Sequence, residues 1–221
     1  MNKGQEEENL SKKETIETEK MGFWANLLEW LRVVIWALLI IVPVRTFLFQ
    51  PFFVEGNSME PNFRDGQYLI VKEWGYKKTK ISLGDQKLFT VSGDKKIERG
   101  QVVVFRYPKN PKEFFIKRII GLPGEKVEIK NGQVKIYNSE NPKGIVLDES
   151  AYLPSLFQNK TDCEGSYCSF NLKKDEYVVL GDNRLYSSDS RAWGVLPREM
   201  LMGVVVLRAW PPESFHFFNT N

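Results

Sequence analysis

Any hydrolytic chemistry in this chain has to manage almost without histidine. His216 is the single histidine among 221 residues and lies in the tail Ser214-Phe215-His216-Phe217-Phe218, just after Pro211-Pro212. Catalytic triads, Cys–His dyads and multi-histidine metal sites all draw on imidazole, so a nucleophile here needs another base. Ser58 is one candidate nucleophile. It sits in Gly56-Asn57-Ser58-Met59-Glu60-Pro61, where glycine and proline bracket a turn that lifts the hydroxyl out of a strand ladder; taken alone, such a serine is usually just a turn residue. Lys117 is a candidate base, inside Phe114-Phe115-Ile116-Lys117-Arg118-Ile119-Ile120-Gly121-Leu122-Pro123-Gly124. On a strand, Phe115, Lys117 and Ile119 share one face, and Phe114, Ile116, Arg118 and Ile120 the other. If one face is core, a cation is buried with no partner in the adjacent sequence. Desolvation then lowers a lysine from about 10.4 toward the range of a general base, which arginine never reaches. The other reading leaves both cations at a strand edge, snorkelling into water.

A third segment, Gly181-Asp182-Asn183-Arg184-Leu185-Tyr186-Ser187-Ser188-Asp189-Ser190-Arg191, follows an apolar strand and is dense in small polar and charged groups. Asp189 and Arg191 can pair and the serines can donate into a site; the alternative is a solvated loop with a surface ion pair. Cys163 and Cys168 form no CxxC pair or Cys/His cluster, which argues against structural zinc. They read as a local disulfide if their compartment is oxidising, or as two loop thiols. A net charge of +3 gives no reason to expect nucleic acid.

The elements that must position these groups fall into three regions. Residues 1–22 form a polar tail whose first 20 residues hold six Glu, four Lys and no aromatic; they cannot bury enough surface to fold alone, and a disordered tail is expected. Residues 23–49 contain the apolar run Val33–Val44 between Arg32 and Arg45. That run is too short by itself to cross about 30 Å of hydrocarbon. With the arginines snorkelling and Trp24 and Trp30 at one interface, 23–49 is long enough to be a transmembrane anchor; a buried helix of a soluble protein is the competing reading. The bulky stretch Arg45–Phe53 offers no small-residue cleavage site. Lys12, Lys13, Lys20 and Arg32 precede the apolar run, so the positive-inside rule puts the tail in the cytoplasm and residues 50–221 outside. The exported part is strand-like: Tyr68–Lys72, Val102–Tyr107, Phe114–Ile120, Val127–Ile129, Val134–Tyr137, Tyr177–Leu180 and Val204–Arg208 are short, β-branched or aromatic, and bounded by turn signals. Asn131-Gly132 between two alternating runs predicts a hairpin. The expectation is a mainly β domain with a core at about 50–130 and 175–212, and an inserted lobe at about 131–174 that carries both cysteines.

Taken together, the segments resemble the bacterial type I signal peptidases (leader peptidases). The resemblance covers nearly everything after the polar tail: an anchor, the Gly-x-Ser-Met-x-Pro box Gly56–Pro61, then Arg99-Gly100-Gln101-Val102-Val103-Val104-Phe105, the lysine box Phe115–Gly124, and the Gly-Asp-Asn…Ser-x-Asp-Ser-Arg box at 181–191. It implies a signal-peptidase-like β-barrel or sheet core and a serine endopeptidase with no cofactor and no metal. Its partners would be signal-peptide-bearing preproteins and membrane lipid. Ser58 matches the nucleophile, Lys117 the base, Ser187 the serine that orients the lysine, and Asp189 and Arg191 a supporting pair. Phe52, Val54, Val104, Phe115 and Ile116 match the lining of shallow pockets for the small side chains of an Ala-x-Ala site. The chain departs from the pattern at Gly56, where some members place a serine that gives a second oxyanion donor, at Gln67 and Gln101, where Asp is frequent, and at Glu55, which replaces a common proline. A self-cleaving repressor with a similar Ser/Lys core is disfavoured by the anchor. A non-enzymatic membrane-tethered β-domain would leave the serine and lysine boxes unexplained.

Overall fold

The computed structural model describes residues 26–41, 49–77, 79–83, 86–91 and 93–218. The expected tail and the flanks of the expected anchor, 23–25 and 42–48, lie outside them. The chain divides into two units, Met1–Thr46 and Phe47–Asn221. In the first, residues 26–41 form a helix, α1. Except for Asn26, Glu29 and Arg32 it is apolar round its whole circumference, and none of its residues is buried. Among the described residues no helix is long and apolar enough to cross a membrane.

The second unit is built from strands β1 (Phe49–Phe53), β2 (Tyr68–Lys72), β3 (Thr79–Leu83), β4 (Gln86–Val91), β5 (Val102–Tyr107), β6 (Asn110–Gly121) and β7 (Lys126–Lys130). They are followed by β8 (Gln133–Tyr137), β9 (Ile145–Val146), β10 (Tyr167–Asn171), β11 (Glu176–Leu180), the short helix α2 (Ser190–Trp193), β12 (Leu196–Pro197), β13 (Leu201–Trp210) and β14 (His216–Phe217). One sheet of eight strands runs β1-β2-β13-β5-β6-β11-β12, with β14 on β13; a second runs β10-β7-β8-β9, and β3-β4 is a separate hairpin. The mainly β expectation holds. The barrel alternative does not: the path through the large sheet ends at β1 and β12 and does not close among the described residues.

Strand β5 shows why the sheet forms where it does. Its Val-Val-Val-Phe run is buried on both faces, as expected of a central strand covered on either side. Val103 and Phe105 join Ile119, Val179, Leu201 and Val204 in one core. Val102 and Val104 join Val54, Met59, Phe63, Leu69 and Val205 in another. The second sheet closes a third core in which Val127, Ile129, Val134 and Ile136 meet Ile120, Val178 and Leu180. The β7–β8 hairpin turns at Asn131-Gly132 with φ of 52° and 79°, the left-handed pair that a two-residue turn of matching twist requires. Cys163 and Cys168 are joined by a disulfide.

Two strands differ instructively from expectation. Strand β6 starts at Asn110, four residues before the apolar run, because β5 and β6 continue as an exposed ribbon whose ladder needs no core contact. Strand β10 lies in sequence expected to be irregular; its half-buried Cys168 and Phe170 alternate with exposed Tyr167, Ser169 and Asn171 and rest on the third core, a period too short and too weakly apolar to stand out in a polar stretch.

Candidate active site

The serine turn is held from below. Beyond β1, Val54 exchanges backbone hydrogen bonds with Gln67 and Gly66, and the Phe63 N–H donates to Met59 O at 2.9 Å. Met59 and Phe63 are fully buried. They anchor the bend in the core and leave Ser58 half exposed at its crest. The Gly56 N–H donates to Asp65 Oδ1 at 2.7 Å.

Lys117 comes from β6 opposite Val103 and is 3% exposed. Its Nζ lies 2.7 Å from Ser58 Oγ and donates to the Ile116 carbonyl at 2.8 Å. Burial pulls the amine down from 10.5 to about 8, against the opposing charges of Asp189 and Asp182. Desolvation is what removes the proton from a lysine otherwise too basic to act near neutrality. Arg118 points the other way and is buried too. Its Nε and Nη2 bond both oxygens of Asp182 at 2.7 and 2.6 Å, and Nη1 donates to Gly100 O at 2.7 Å. The strand thus buries a paired arginine and a lysine without a carboxylate ligand on adjacent residues.

The polar run after β11 packs behind this pair. The Gly181 N–H donates to Asp189 Oδ2 at 3.0 Å. Asp189 also caps α2, accepting from the Arg191 backbone N–H, and is bridged by Arg191 Nε and Nη2 at 2.8 Å each. Although burial pushes it up, the Arg191 guanidinium holds its carboxyl below the usual range. Ser187 Oγ is buried beside Asp189 and makes no hydrogen bond to Lys117, whose Nζ is held instead by the Ile116 carbonyl. Gly181 has no room for a side chain: a Cβ would lie 2.1 Å from Ser187 Oγ and 2.4 Å from the Ser58 carbonyl oxygen.

A cleft of about 600 Å³ opens over the pair. Phe52, Val54, Val104, Phe115 and Ile116 line it together with Ser58 and Lys117; Ser188 does so too, whereas Ser187, Asp189 and Arg191 do not. His216 is exposed on β14, with its ring 4.8 Å from that of Phe218. Sequence reasoning passed over Asn183, whose backbone N–H donates to the Ser58 carbonyl at 3.1 Å and whose Nδ2 donates to Asn57 O at 3.2 Å. Its place in the Gly-Asp-Asn run was the available signal. Asn62, which donates to Asp182 Oδ2 at 2.8 Å, carried none.

A serine in reach of a buried, depressed amine, at the floor of an apolar cleft, is an arrangement that serine-hydrolase chemistry can use. The chain belongs to the signal peptidase family, peptidase S26, whose model matches residues 27–210. It is 34% identical over 200 residues to "Signal peptidase IB" of Staphylococcus aureus, covering 88% of this chain and 95% of that one. It is 33% identical over 186 residues to "Probable signal peptidase I-2" of Synechocystis sp., covering 81% and 72%. A crystal structure of a signal peptidase I from Enterococcus faecalis is 31% identical and covers 50% of this chain and 97% of its own, with a TM-score of 0.39. The chain is therefore a serine endopeptidase of the signal peptidase class.

Proposed function

We propose that this signal peptidase removes signal peptides with a Ser58/Lys117 dyad, cleaving after small residues of Ala-x-Ala type. The observation that carries the reading is the 2.7 Å contact between Lys117 Nζ and Ser58 Oγ, made by a lysine drawn down to about 8. The neutral amine takes the hydroxyl proton as Oγ attacks the scissile carbonyl. The resulting ammonium returns it to the leaving amine as the peptide bond breaks, leaving an acyl-enzyme. Lys117 then takes a proton from water as it attacks the ester, and returns it to Ser58. The backbone N–H of Ser58 is one oxyanion donor. Ser187, Asp189 and Arg191 support the lysine from behind, and Phe52, Val54, Val104, Phe115 and Ile116 shape the shallow subsites.

The proposal extends to the membrane. Residues 1–22 are a cytoplasmic tail, 23–49 a single-pass anchor in the cell membrane and 50–221 an extracytoplasmic catalytic domain. In support, α1 is apolar on every side from residue 33 to residue 41, which suits lipid rather than one packed face. Its 16 described residues rise about 24 Å, against about 30 Å of hydrocarbon. Ser58 follows Phe49 by nine residues, which keeps it within about 30 Å of the membrane face even on an extended chain. Phe53, Tyr68 and Trp210 are neighbours across β1, β2 and β13 and each about half exposed, an aromatic surface suited to the lipid interface.

The test is cleavage of a purified preprotein by wild type, Ser58→Ala and Lys117→Ala. Both variants are expected to fold and to lose cleavage. Retained activity in Ser58→Ala overturns the nucleophile, and retained activity in Lys117→Ala with an unchanged pH profile overturns the base.

A further inference from the structure

The segment between β8 and β10 lines no part of the cleft over Ser58 and Lys117, yet it supplies the counter-charge for a fully buried cation, Arg184. The Arg184 side chain is 0% exposed. Both its Nη atoms donate to the Glu149 carboxylate, Nη1 donates also to Thr161 Oγ1, and Nε donates to the Gly181 carbonyl at 3.1 Å. Glu149 further accepts the Tyr152 hydroxyl at 2.7 Å. The Tyr152 ring lies 4.2 Å from the Arg118 guanidinium carbon, and its carbonyl accepts Asn62 Nδ2 at 2.7 Å. Glu149 and Tyr152 thus form the outer wall of the Arg118–Asp182 pair.

Two buried guanidiniums and two carboxylates share this space, and the pairing is strict: Arg118 with Asp182, Arg184 with Glu149. Asp182 is the other carboxylate whose charge acts on Arg184. A buried cation stripped of its partner is costly and turns to the nearest anion. Without the Glu149 charge, that anion is Asp182. Asp182 sits at a junction: Arg118, which it holds, is next to Lys117 on β6, and Asn183, the residue after it, donates its N–H to the Ser58 carbonyl. Turning Asp182 toward Arg184 shifts both members of the pair.

We propose that Glu149 is a positioning residue for the reaction: by engaging Arg184 it reserves Asp182 for Arg118, and so keeps β6 and the 181–191 run in the alignment that brings Lys117 to Ser58. The inference rests on the Ser58/Lys117 reading and gives the inserted segment a task in it.

The test measures kcat and KM separately for the full chain in detergent, with thermal unfolding alongside, for wild type, Glu149→Gln, Glu149→Asp and the double variant Glu149→Gln/Arg184→Gln. Glu149→Gln is expected to lower kcat about tenfold or more with KM within about twofold of wild type, and Glu149→Asp to restore most of the loss. The double variant buries no unpaired charge, so it is expected to fold and to cleave within about fivefold of wild type. A Glu149→Gln enzyme that melts earlier but keeps wild-type kcat overturns the proposal, since the ion pair then serves stability alone. If Glu149→Gln does not fold, the double variant decides: folded but about tenfold or more down in kcat, it overturns the proposal. None of these failures restores cleavage to Ser58→Ala, so the dyad stands or falls on its own test.

Discussion

Replacing Lys117 with methionine is expected to abolish cleavage and, at neutral pH, to stabilise the protein. The lysine is buried, and burial moves it from 10.5 to about 8. That gap corresponds to roughly 3 kcal/mol by which the folded state disfavours the ammonium. Below about 8 the proton is bound in both folded and unfolded chains, and the folded state carries the whole cost. Between about 8 and 10.5 the folded protein has released a proton that the unfolded chain still holds, so wild-type stability climbs with pH across that window. Methionine fills a similar volume without charge. It forfeits the contacts to Ser58 and the Ile116 carbonyl, at about 1 kcal/mol. The net gain is roughly 2 kcal/mol at pH 7, or about 4–8 °C in Tm for a domain of this size. Thermal unfolding of both proteins from pH 6 to pH 10.5 checks it. The variant's advantage should be full at the acid end and shrink above pH 8. A variant less stable than wild type at pH 7, or an advantage that does not change with pH, refutes the argument that desolvation sets this amine's acidity.

Other outcomes follow from particular contacts. The wild-type kcat/KM should rise with pH through a limb near 8, because at pH 7 only about one tenth of the lysine is neutral; a limb near 10 would deny the burial effect. Gly181→Ala drives a methyl into Ser187 Oγ and the Ser58 carbonyl, and a steady-state assay should show a loss of about a hundredfold or more in kcat/KM, since a shift near 1 Å is enough for that. Ile116→Ala enlarges the cleft that Ser58 also lines, and peptides with Val in place of Ala before the cleaved bond should become better substrates relative to the parent, by about tenfold. Exchanging Cys163 and Cys168 for serine opens a short loop, and denaturant unfolding should show a loss of about 2 kcal/mol with cleavage retained.

Much of the fold could be read from residue order because burial dictates it. Tyr68–Lys72 and Val102–Tyr107 occupy the boundaries expected of them, since β-branched runs closed by turn residues have few other options. Strands without a run of β-branched residues escaped notice, as with β10, whose inward face is only Cys168 and Phe170, and so did the two-residue strands β9, β12 and β14. The site was legible in proportion to how local its signals were. The turn around Ser58 is written in adjacent residues. The fate of Lys117 and Arg118 was not, because alternation alone left open which cation is buried. Both are, and what separates them is Asp182, 64 residues away from Arg118. The contribution of Glu149 is further removed still: a lone acid in a polar stretch, it acquires meaning only from Arg184, 35 residues on.

That spacing has a consequence for when the enzyme exists. Ser58 and Lys117 are 59 residues apart, and the run that packs behind them begins at Gly181, after β11 has added itself to β6. A chain emerging from its amino end therefore carries Ser58 for a long interval without Lys117, and then carries both with nothing at their back; under the proposed dyad it holds a nucleophile before it holds a base. On that reading the arrangement is complete only once the 181–191 run is in place and β13 has joined β2 to β5, in the last fifth of the polypeptide.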